Sequence, residues 1–435
     1  MKTTVSVIVL SLAFIASAKS FELVYESPLK TGDMLRLSGK DIVVNKTRPA
    51  ILYDAVESVI ENGTIQGRDD VVYDGFLVQR GDSATDLGWD KPSNPGFYGS
   101  VNVKVVSSEG SAWESDKYVY YVKGHKGYLG WPRAYTDYTN DNKKIYVSWW
   151  LKQRYDTKFY YVLKLKSVDA SFQNIKDSEL ELEDGTIGKL INYSDNEVHV
   201  EFSGVSNASS LVGKKVTQKL TGAQAVFDID GAMSSGNNKY IRIWEHPNGD
   251  QGIRLSWTNA NLGAGGAEDW LYSLEKVAPK PGQWNHMEVF VDGASNTANS
   301  YVNGIKQASI DWSSGVEAYK DISGMYSPTI ALIGFDGKIP VHQETYFDNI
   351  YMDNDFERVV ISKDSVLTQG SEYIVQPIIK RQNGEITVMF NPGFFQPGTY
   401  YVHYIKGEEF EGDVGVPFCY KCEIPKPSSP TSYVE

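Results

Sequence analysis

The stretch PGQWNHMEVFVD, at residues 281–292, decides the fold class of this chain. Its polar His286 and Glu288 alternate with apolar residues, the period-two pattern of a strand with one polar and one apolar face. YVNG at residues 301–304 follows and predicts a hairpin. Short alternating runs broken by Gly, Asn, Asp and Pro continue along most of the chain, beside one weak helical pattern at residues 50–61. The sequence therefore predicts an all-β protein built around a β-sandwich.

The length of 435 residues is sufficient for two or three domains. We predict a small β-module at residues 19–70 and a sandwich at residues 71–354, which carries an inserted β segment at residues 171–223. A second small β-module is predicted at residues 355–418. The Pro- and Ser-rich composition of residues 419–435 predicts a disordered tail.

The first residues have the pattern of a signal peptide, which we predict at residues 1–18. Lys2 precedes an apolar run at residues 5–15, and Ala16, Ser17 and Ala18 supply the small residues of a cleavage site. The run is shorter than the ~20 residues that span a bilayer. We therefore expect a secreted protein, extracellular or periplasmic, with no membrane span.

The charge balance excludes one class of partner. The chain has 55 acidic and 42 basic residues, a formal net charge of -13, and nucleic-acid binding requires a basic face. The two cysteines, Cys419 and Cys422, form a lone C-x-x-C pair without the second pair that a zinc ribbon needs. A short-loop disulfide is the simplest expectation for an exported chain, and a reduced pair is the alternative.

Two segments resemble the concanavalin A-like lectin/glucanase superfamily, which includes laminin G-type modules. They are residues 281–292 with the YVNG hairpin, and YFDNIYMD at residues 346–353. The resemblance implies a jelly-roll β-sandwich and a structural calcium ion, for which Asp348 and Asp353 are the candidate ligands.

The ends of the chain carry a second resemblance. Residues 21–39 are similar to the opening of IPT/TIG-like modules, and residues 346–401 are similar to flanking modules of uncharacterised secreted bacterial proteins. This likeness implies small immunoglobulin-like β-modules at both ends of the sandwich.

Strand alternation predicts one open sheet face that carries cationic and aromatic side chains together, provided that four strands at residues 144–152, 240–246, 252–257 and 286–291 are neighbours. Arg binds carboxylate or sulfate groups, and a Trp ring stacks on the face of a sugar. This face predicts binding of an extracellular polysaccharide or cell-surface glycan. The candidate ligand-binding residues are Trp150, Arg242, Trp244, Arg254, His286 and Glu288.

Two further functions remain open from the sequence. A polysaccharide lyase needs a base beside a cation, and His286 or Tyr240 with Arg242 is the candidate group. A glycoside hydrolase is less favoured, because the alternating Glu179, Glu181 and Glu183 lack the E-x-D-x-x-E pattern of the glucanases. A structural or adhesion protein is the third alternative, in which the 10 Trp, 28 Tyr and 17 Phe serve packing alone.

Four tryptophans are assigned by their sequence context. Trp149 and Trp284 lie in strong strand patterns and are expected in the core. Trp131 and Trp312 lie beside loop signals, and core packing and contact at the rim of a binding site are equally expected for them.

Overall fold

The computed structural model describes most of the predicted strands. The described residues are 21–25, 29–44, 47–56, 58–61, 63–67, 76–78, 89–90, 103–107, 112, 118–123, 127–128, 131–132, 144–154, 160–203, 205, 208–235, 239–244, 254–258, 261–265, 270–272, 279–311, 327–329, 331–332 and 344–421.

Regular structure in the described residues is β-strand, apart from a 3₁₀ turn at Ala208–Leu211. The strands of the N-terminal half are β1 (Phe21–Val24), β2 (Met34–Gly39), β3 (Leu52–Asp54), β4 (Ser58–Glu61), β5 (Thr64–Gly67), β6 (Phe76–Val78), β7 (Trp89–Asp90), β8 (Val103–Ser107), β9 (Tyr118–Lys123), β10 (Gly127–Tyr128), β11 (Trp131–Pro132), β12 (Lys144–Gln153), β13 (Tyr160–Lys166), β14 (Glu179–Leu182), β15 (Ile187–Ser194), β16 (Glu197–Phe202) and β17 (Lys215–Gln218). The remaining strands are β18 (Gln224–Ser235), β19 (Lys239–Trp244), β20 (Arg254–Thr258), β21 (Asn261–Gly265), β22 (Trp270–Tyr272), β23 (Trp284–Asp292), β24 (Thr297–Val302), β25 (Ile305–Asp311), β26 (Ser327–Thr329), β27 (Ala331–Leu332), β28 (Glu344–Asp353), β29 (Arg358–Ser362), β30 (Tyr373–Gln376), β31 (Ile378–Gln382), β32 (Glu385–Met389), β33 (Gly398–Ile405) and β34 (Val416–Tyr420).

The largest sheet has eleven antiparallel strands and contains the segment that decided the fold class. Its main path is β25-β24-β23-β12-β28-β3-β4-β5, and it branches at β28, which also pairs with β9 and through β9 reaches β8 and β6. The predicted hairpin joins β24 to β25 through Asn303 and Gly304, whose φ values of 51° and 70° are those of a type I′ turn.

The branch in β28 coincides with a β-bulge. Ser148 pairs with Tyr351 and Trp150 pairs with Asp348, so two residues of β28 lie opposite the single Trp149. One of the two is Asn349, whose φ of 49° lies in the left-handed region that Asn tolerates better than most residues. The bulge reverses the alternation along β28 and separates the half that pairs with β9 from the half that pairs with β3.

The two ends of the chain fold together. Strand β2 pairs with β32 from Met34↔Met389 to Ser38↔Glu385, within the sheet β1-β2-β32-β31, and a second sheet has the order β30-β29-β33-β34. Buried residues from both ends, such as Leu37 and Val388, belong to one hydrophobic core. We call strands β1, β2 and β29–β34 the terminal module.

This arrangement differs from the prediction of a separate small module at each end. Residues 52–67, which were predicted to belong to the N-terminal module, instead form β3, β4 and β5 of the eleven-stranded sheet. Sequence patterns identify the strands but not their partners, and β2 and β32 are more than 340 residues apart in the chain.

The predicted insertion lies within a closed six-stranded barrel, β13-β16-β15-β14-β17-β18, which extends over residues 160–235. The barrel has its own core of buried apolar residues, among them Leu163, Leu180 and Phe202. A further five-stranded sheet, β22-β21-β20-β19-β26, places β21 against β24 and β25 of the largest sheet.

Several sequence predictions concern residues outside the described part, namely the signal peptide at residues 1–18, Cys422 and Trp312. Cys419 is disulfide-bonded. Within the described ranges, no helix has the length and apolar character needed to cross a membrane.

The joining of the two ends predicts a long-range effect of one substitution. Leu37 is fully buried, and Leu37→Ala is expected to cost about 2–5 kcal/mol of folding free energy and to speed amide hydrogen exchange in Glu385–Met389. Met34 on the same strand is 41% exposed, so Met34→Ala is the matched control and should leave exchange unchanged. Faster exchange confined to residues 21–39 would contradict the shared core.

Candidate functional site

The sheet face predicted to be open is covered over most of its area. Trp150, His286 and Glu288 are 9%, 4% and 0% exposed, and the core that buries Trp150 also contains the residues of the terminal module. We call this side of the eleven-stranded sheet the covered face. The expectation that these three side chains are exposed is wrong, because strand alternation does not indicate that a second layer packs on the polar face. A side chain buried to this degree does not contact a polysaccharide unless the two layers separate.

Glu288 on β23 and Arg358 on β29 form the centre of the contact between the two layers. Both side chains are buried, with Arg358 Nε 3.9 Å from Glu288 Oε1. Tyr146 donates a hydrogen bond to Glu288 Oε1 at 2.7 Å, and Tyr373 donates another to Oε2. The carboxylate therefore has the hydrogen bonds and the countercharge that a buried charge requires.

Arg358 is bound on its other side by main-chain oxygens. Its Nη2 donates a hydrogen bond to the Glu408 carbonyl at 3.0 Å, and its guanidinium lies 4.8 Å from the ring centroid of Phe290. Burial, followed by the charge of Glu288, raises the pKa of Tyr146 well above its usual range. The cluster is therefore a structural ion pair with neutral phenols.

His286 is fixed between polar and aromatic partners on the covered face. Its Nε2 lies 2.7 Å from Ser148 Oγ, and its ring stacks on Trp150 at 5.2 Å between centroids. Burial lowers the pKa of His286, and Arg358 lowers it further against the opposing charge of Glu288. His286 is therefore neutral at neutral pH and has no access to the surface, which does not fit the predicted role as a lyase base.

The other members of the predicted site lie in a different sheet. Tyr240 and Arg242 belong to β19 of the five-stranded sheet, and Tyr240 is buried. The register of β19 and β20 pairs Trp244 directly with Arg254. The side chains of Arg242, Trp244 and Arg254 lie outside the described part. The expectation that these strands neighbour the His286 strand in one sheet is wrong.

The two candidate calcium ligands do not fit a shared metal site. Asp348 and Asp353 are five residues apart on β28, about 17 Å along a strand, whereas calcium ligands lie within about 2.6 Å of the ion. Asp353 is ion-paired with Arg381 at 2.5 Å. No cluster of three or more His, Cys, Asp or Glu side chains suited to a metal ion occurs in the described ranges.

The candidate hydrolase carboxylates lie on the barrel. Glu179 and Glu181 are on β14, and Glu181 is ion-paired with Lys219 at 2.9 Å on the barrel surface. Glu183 follows the strand in an exposed turn. These residues form part of a charged surface with its own countercharges, which does not support the hydrolase hypothesis.

One part of the covered face carries side chains that are only half-buried. Tyr121 on β9 pairs with Tyr346 on β28, which pairs with Lys152 on β12, which in turn pairs with Trp284 on β23. Directly opposed residues project from the same side of a sheet, and all four of these side chains are half-buried. We call these four residues the aromatic row. It crosses four adjacent strands, about 14 Å at ~4.8 Å per strand spacing.

Contacts within the aromatic row hold its rings in place. The Tyr121 and Tyr346 rings lie 5.1 Å apart with 39° between their planes. Lys152 Nζ lies 5.8 Å from the ring centroid of Tyr346 and 6.0 Å from that of Trp284. Burial, then the charge of Glu344, raises the pKa of Tyr121 to about 12, and the same causes raise the pKa of Tyr346. Both phenols are protonated at neutral pH and are poor general bases.

The aromatic row was not predicted from the sequence. Trp284 was expected in the core; it packs against that core but is only partly buried, at the start of β23, whereas Trp149 is fully buried as predicted. The sequence feature that could have indicated the row is that Lys152, Trp284 and Tyr346 lie near strand ends, on the polar side of the alternation. The pairing of β9 with β28, which brings Tyr121 to the row, has no counterpart in the sequence pattern.

No family model matches the chain, and no curated protein matches it. Similar solved structures include the binding domain of botulinum neurotoxin DC in complex with SialylT, at 9% identity and a TM-score of 0.26, covering 83% of this chain and 72% of that one. Domain 4 of AbnA, a GH43 extracellular arabinanase from Geobacillus stearothermophilus in complex with arabinotriose, has 9% identity and a TM-score of 0.20, covering 70% and 95%. A sialidase has 8% identity and a TM-score of 0.22, covering 74% and 21%. Scores this low carry no argument about the site.

The buried ion pair predicts a large and non-additive effect on stability. Arg358→Met leaves Glu288 without its countercharge and should cost about 3–5 kcal/mol in urea unfolding, and adding Glu288→Gln should restore part of that loss. Arg36→Met is the matched control, because Arg36 is 57% exposed in its pair with Glu385 and should cost under about 1 kcal/mol. Additive losses in the double variant would contradict the pairing.

The lowered pKa of His286 predicts a pH-dependent stability. Because the unfolded chain binds a proton on this residue more readily than the folded one, stability is complete above about pH 6.5 and decreases as the pH falls toward the folded-state pKa. His286→Gln should reduce the slope of unfolding free energy between pH 5 and 6.5. It should not remove the slope, since burial also lowers the pKa of His199. An unchanged slope would contradict the buried neutral imidazole.

Proposed function

We propose that this protein binds polysaccharide through the aromatic row, without cleaving it. The observation that carries the proposal is the alignment of three half-exposed aromatic rings, those of Tyr121, Tyr346 and Trp284, on one side of hydrogen-bonded neighbouring strands. Such rings present an apolar face to the C–H face of a sugar, while their polar tips remain available for hydrogen bonds.

The rigidity of the row supports binding. Its residues lie on paired strands of the largest sheet, and the Tyr121 and Tyr346 rings are in contact, 5.1 Å apart between centroids. Ordering long side chains on binding costs free energy, so rings held in place before the ligand arrives reduce that cost.

The catalytic alternatives have less support. The lyase hypothesis requires an accessible base, whereas His286 is buried and neutral, and the phenol of Tyr121 has a pKa of about 12. We propose that the protein acts outside the cytoplasm, which the signal-peptide pattern at residues 1–18 supports.

The test is affinity electrophoresis of the full chain against a panel of neutral and charged polysaccharides. We expect retention by at least one polymer, and Trp284→Ala and Tyr346→Ala should each weaken it about tenfold, as truncation of an aromatic anchor does. An ultraviolet-absorbing unsaturated product would instead favour the lyase.

A matched control is available on the barrel. Tyr193 is half-buried, with its ring 5.2 Å from that of Phe172, so Tyr193→Ala removes a comparable ring away from the row. Its retention should equal that of the unmodified protein, and thermal unfolding of each variant verifies the fold. Equal retention of all three variants, or no retention of the unmodified protein by any polymer, would refute the proposal and favour a structural role.

A further inference from the structure

In the part of the chain that the structure describes, the ammonium group at the centre of the aromatic row has no acidic partner. Lys152 lies between Tyr346 and Trp284, and its contacts with charged or aromatic groups are the two cation–π contacts with their rings. None of the carboxylates in the described ranges forms an ion pair with it.

Three other cations on or beside the strands of the same sheet are paired. Arg154 Nη1 lies 3.0 Å from Glu344, Lys306 Nζ lies 3.1 Å from Glu408, and Lys144 Nζ lies 3.7 Å from Asp292. The chain has 13 more acidic than basic residues, from 55 against 42, so countercharges are abundant. Lys152 differs from these three cations, and its position between two aromatic rings on neighbouring strands distinguishes it from lysines such as Lys406, which contacts a single ring.

Building on the proposed function, we infer that the ligand is an anionic polysaccharide whose carboxylate or sulfate group binds Lys152. Tyr346 and Trp284 are two strand spacings apart, about 10 Å, with the ammonium between them. Sugar rings stack on the two aromatic side chains, and the anionic substituent between them accepts a charge-assisted hydrogen bond from Nζ. Lys152 is half-buried, and partial removal from water strengthens the attraction of its ammonium for an anion.

The overall charge makes this local cation necessary. A chain with a net charge of -13 repels a polyanion at long range, but that field is screened over about 8–10 Å at physiological salt. Capture of an acidic polymer therefore depends on a cation in direct contact with it, and the contribution of Lys152 should decrease as salt concentration rises.

The test uses matched polymers that differ only in charge. Polygalacturonate is compared with its methyl ester, and dextran sulfate with dextran, against the full-length protein. The unmodified protein should bind the anionic member of at least one pair more tightly than the neutral member. Lys152→Met removes the charge and retains an apolar stem, and it should weaken binding of the anionic polymer about tenfold more than binding of the neutral one.

Lys144→Met is the matched control. Lys144 begins the same strand and also contacts a ring, Phe356 at 5.2 Å, but it is paired with Asp292. Lys144→Met should therefore leave the affinity for the anionic polymers unchanged.

The outcomes separate this inference from the proposed function. If Lys152→Met binds the anionic polymers as the unmodified protein does while Trp284→Ala loses binding, the anionic ligand is refuted and the aromatic row remains a polysaccharide site. Equal affinity of the unmodified protein for both members of each pair would also refute the anionic ligand and leave the aromatic row as a polysaccharide site. If no polymer is bound, the proposed function itself fails.

Discussion

Two opposite charges, Glu288 and Arg358, are buried between the eleven-stranded sheet and the terminal module, and the arrangement of the site depends on their contact. The terminal module satisfies the polar groups of the covered face through Arg358 and Tyr373, which removes them from water. A buried ion pair adds little net stability compared with apolar packing, but it opposes any register in which the two charges do not meet. It therefore favours the one seating of the module on the sheet in which Trp150 and His286 are buried.

The fold was predictable to the extent that local pattern determines it. Alternation identified the strand at residues 286–291, and Asn303 with Gly304 identified its hairpin. The union of the chain ends was not predictable, because the pairing of β2 with β32 leaves no local signature. The bulge at Asn349 was equally hidden, although it places Asp348 and Asp353 on one side of a strand where simple alternation puts them on opposite sides.

The candidate site was predictable in its chemistry and not in its position. Alternation correctly placed Trp150 and His286 on the polar side of neighbouring strands, but it contains no information about what packs on that side. Two positions along the same strands, Lys152 and Trp284 have the same orientation but are only half-buried. The difference between a buried and an accessible aromatic residue is therefore set by tertiary packing, and a single sequence does not specify it.

Hydroxyl-radical footprinting of the full chain, with and without a bound polysaccharide, tests most directly whether the covered face consists of a buried part and an accessible aromatic row. We expect Tyr121, Tyr346 and Trp284 to be oxidised in the free protein and protected in the complex, whereas Trp150, 9% exposed, should be protected in both. Protection confined to other surfaces, or strong oxidation of Trp150 in the free protein, would contradict this expectation.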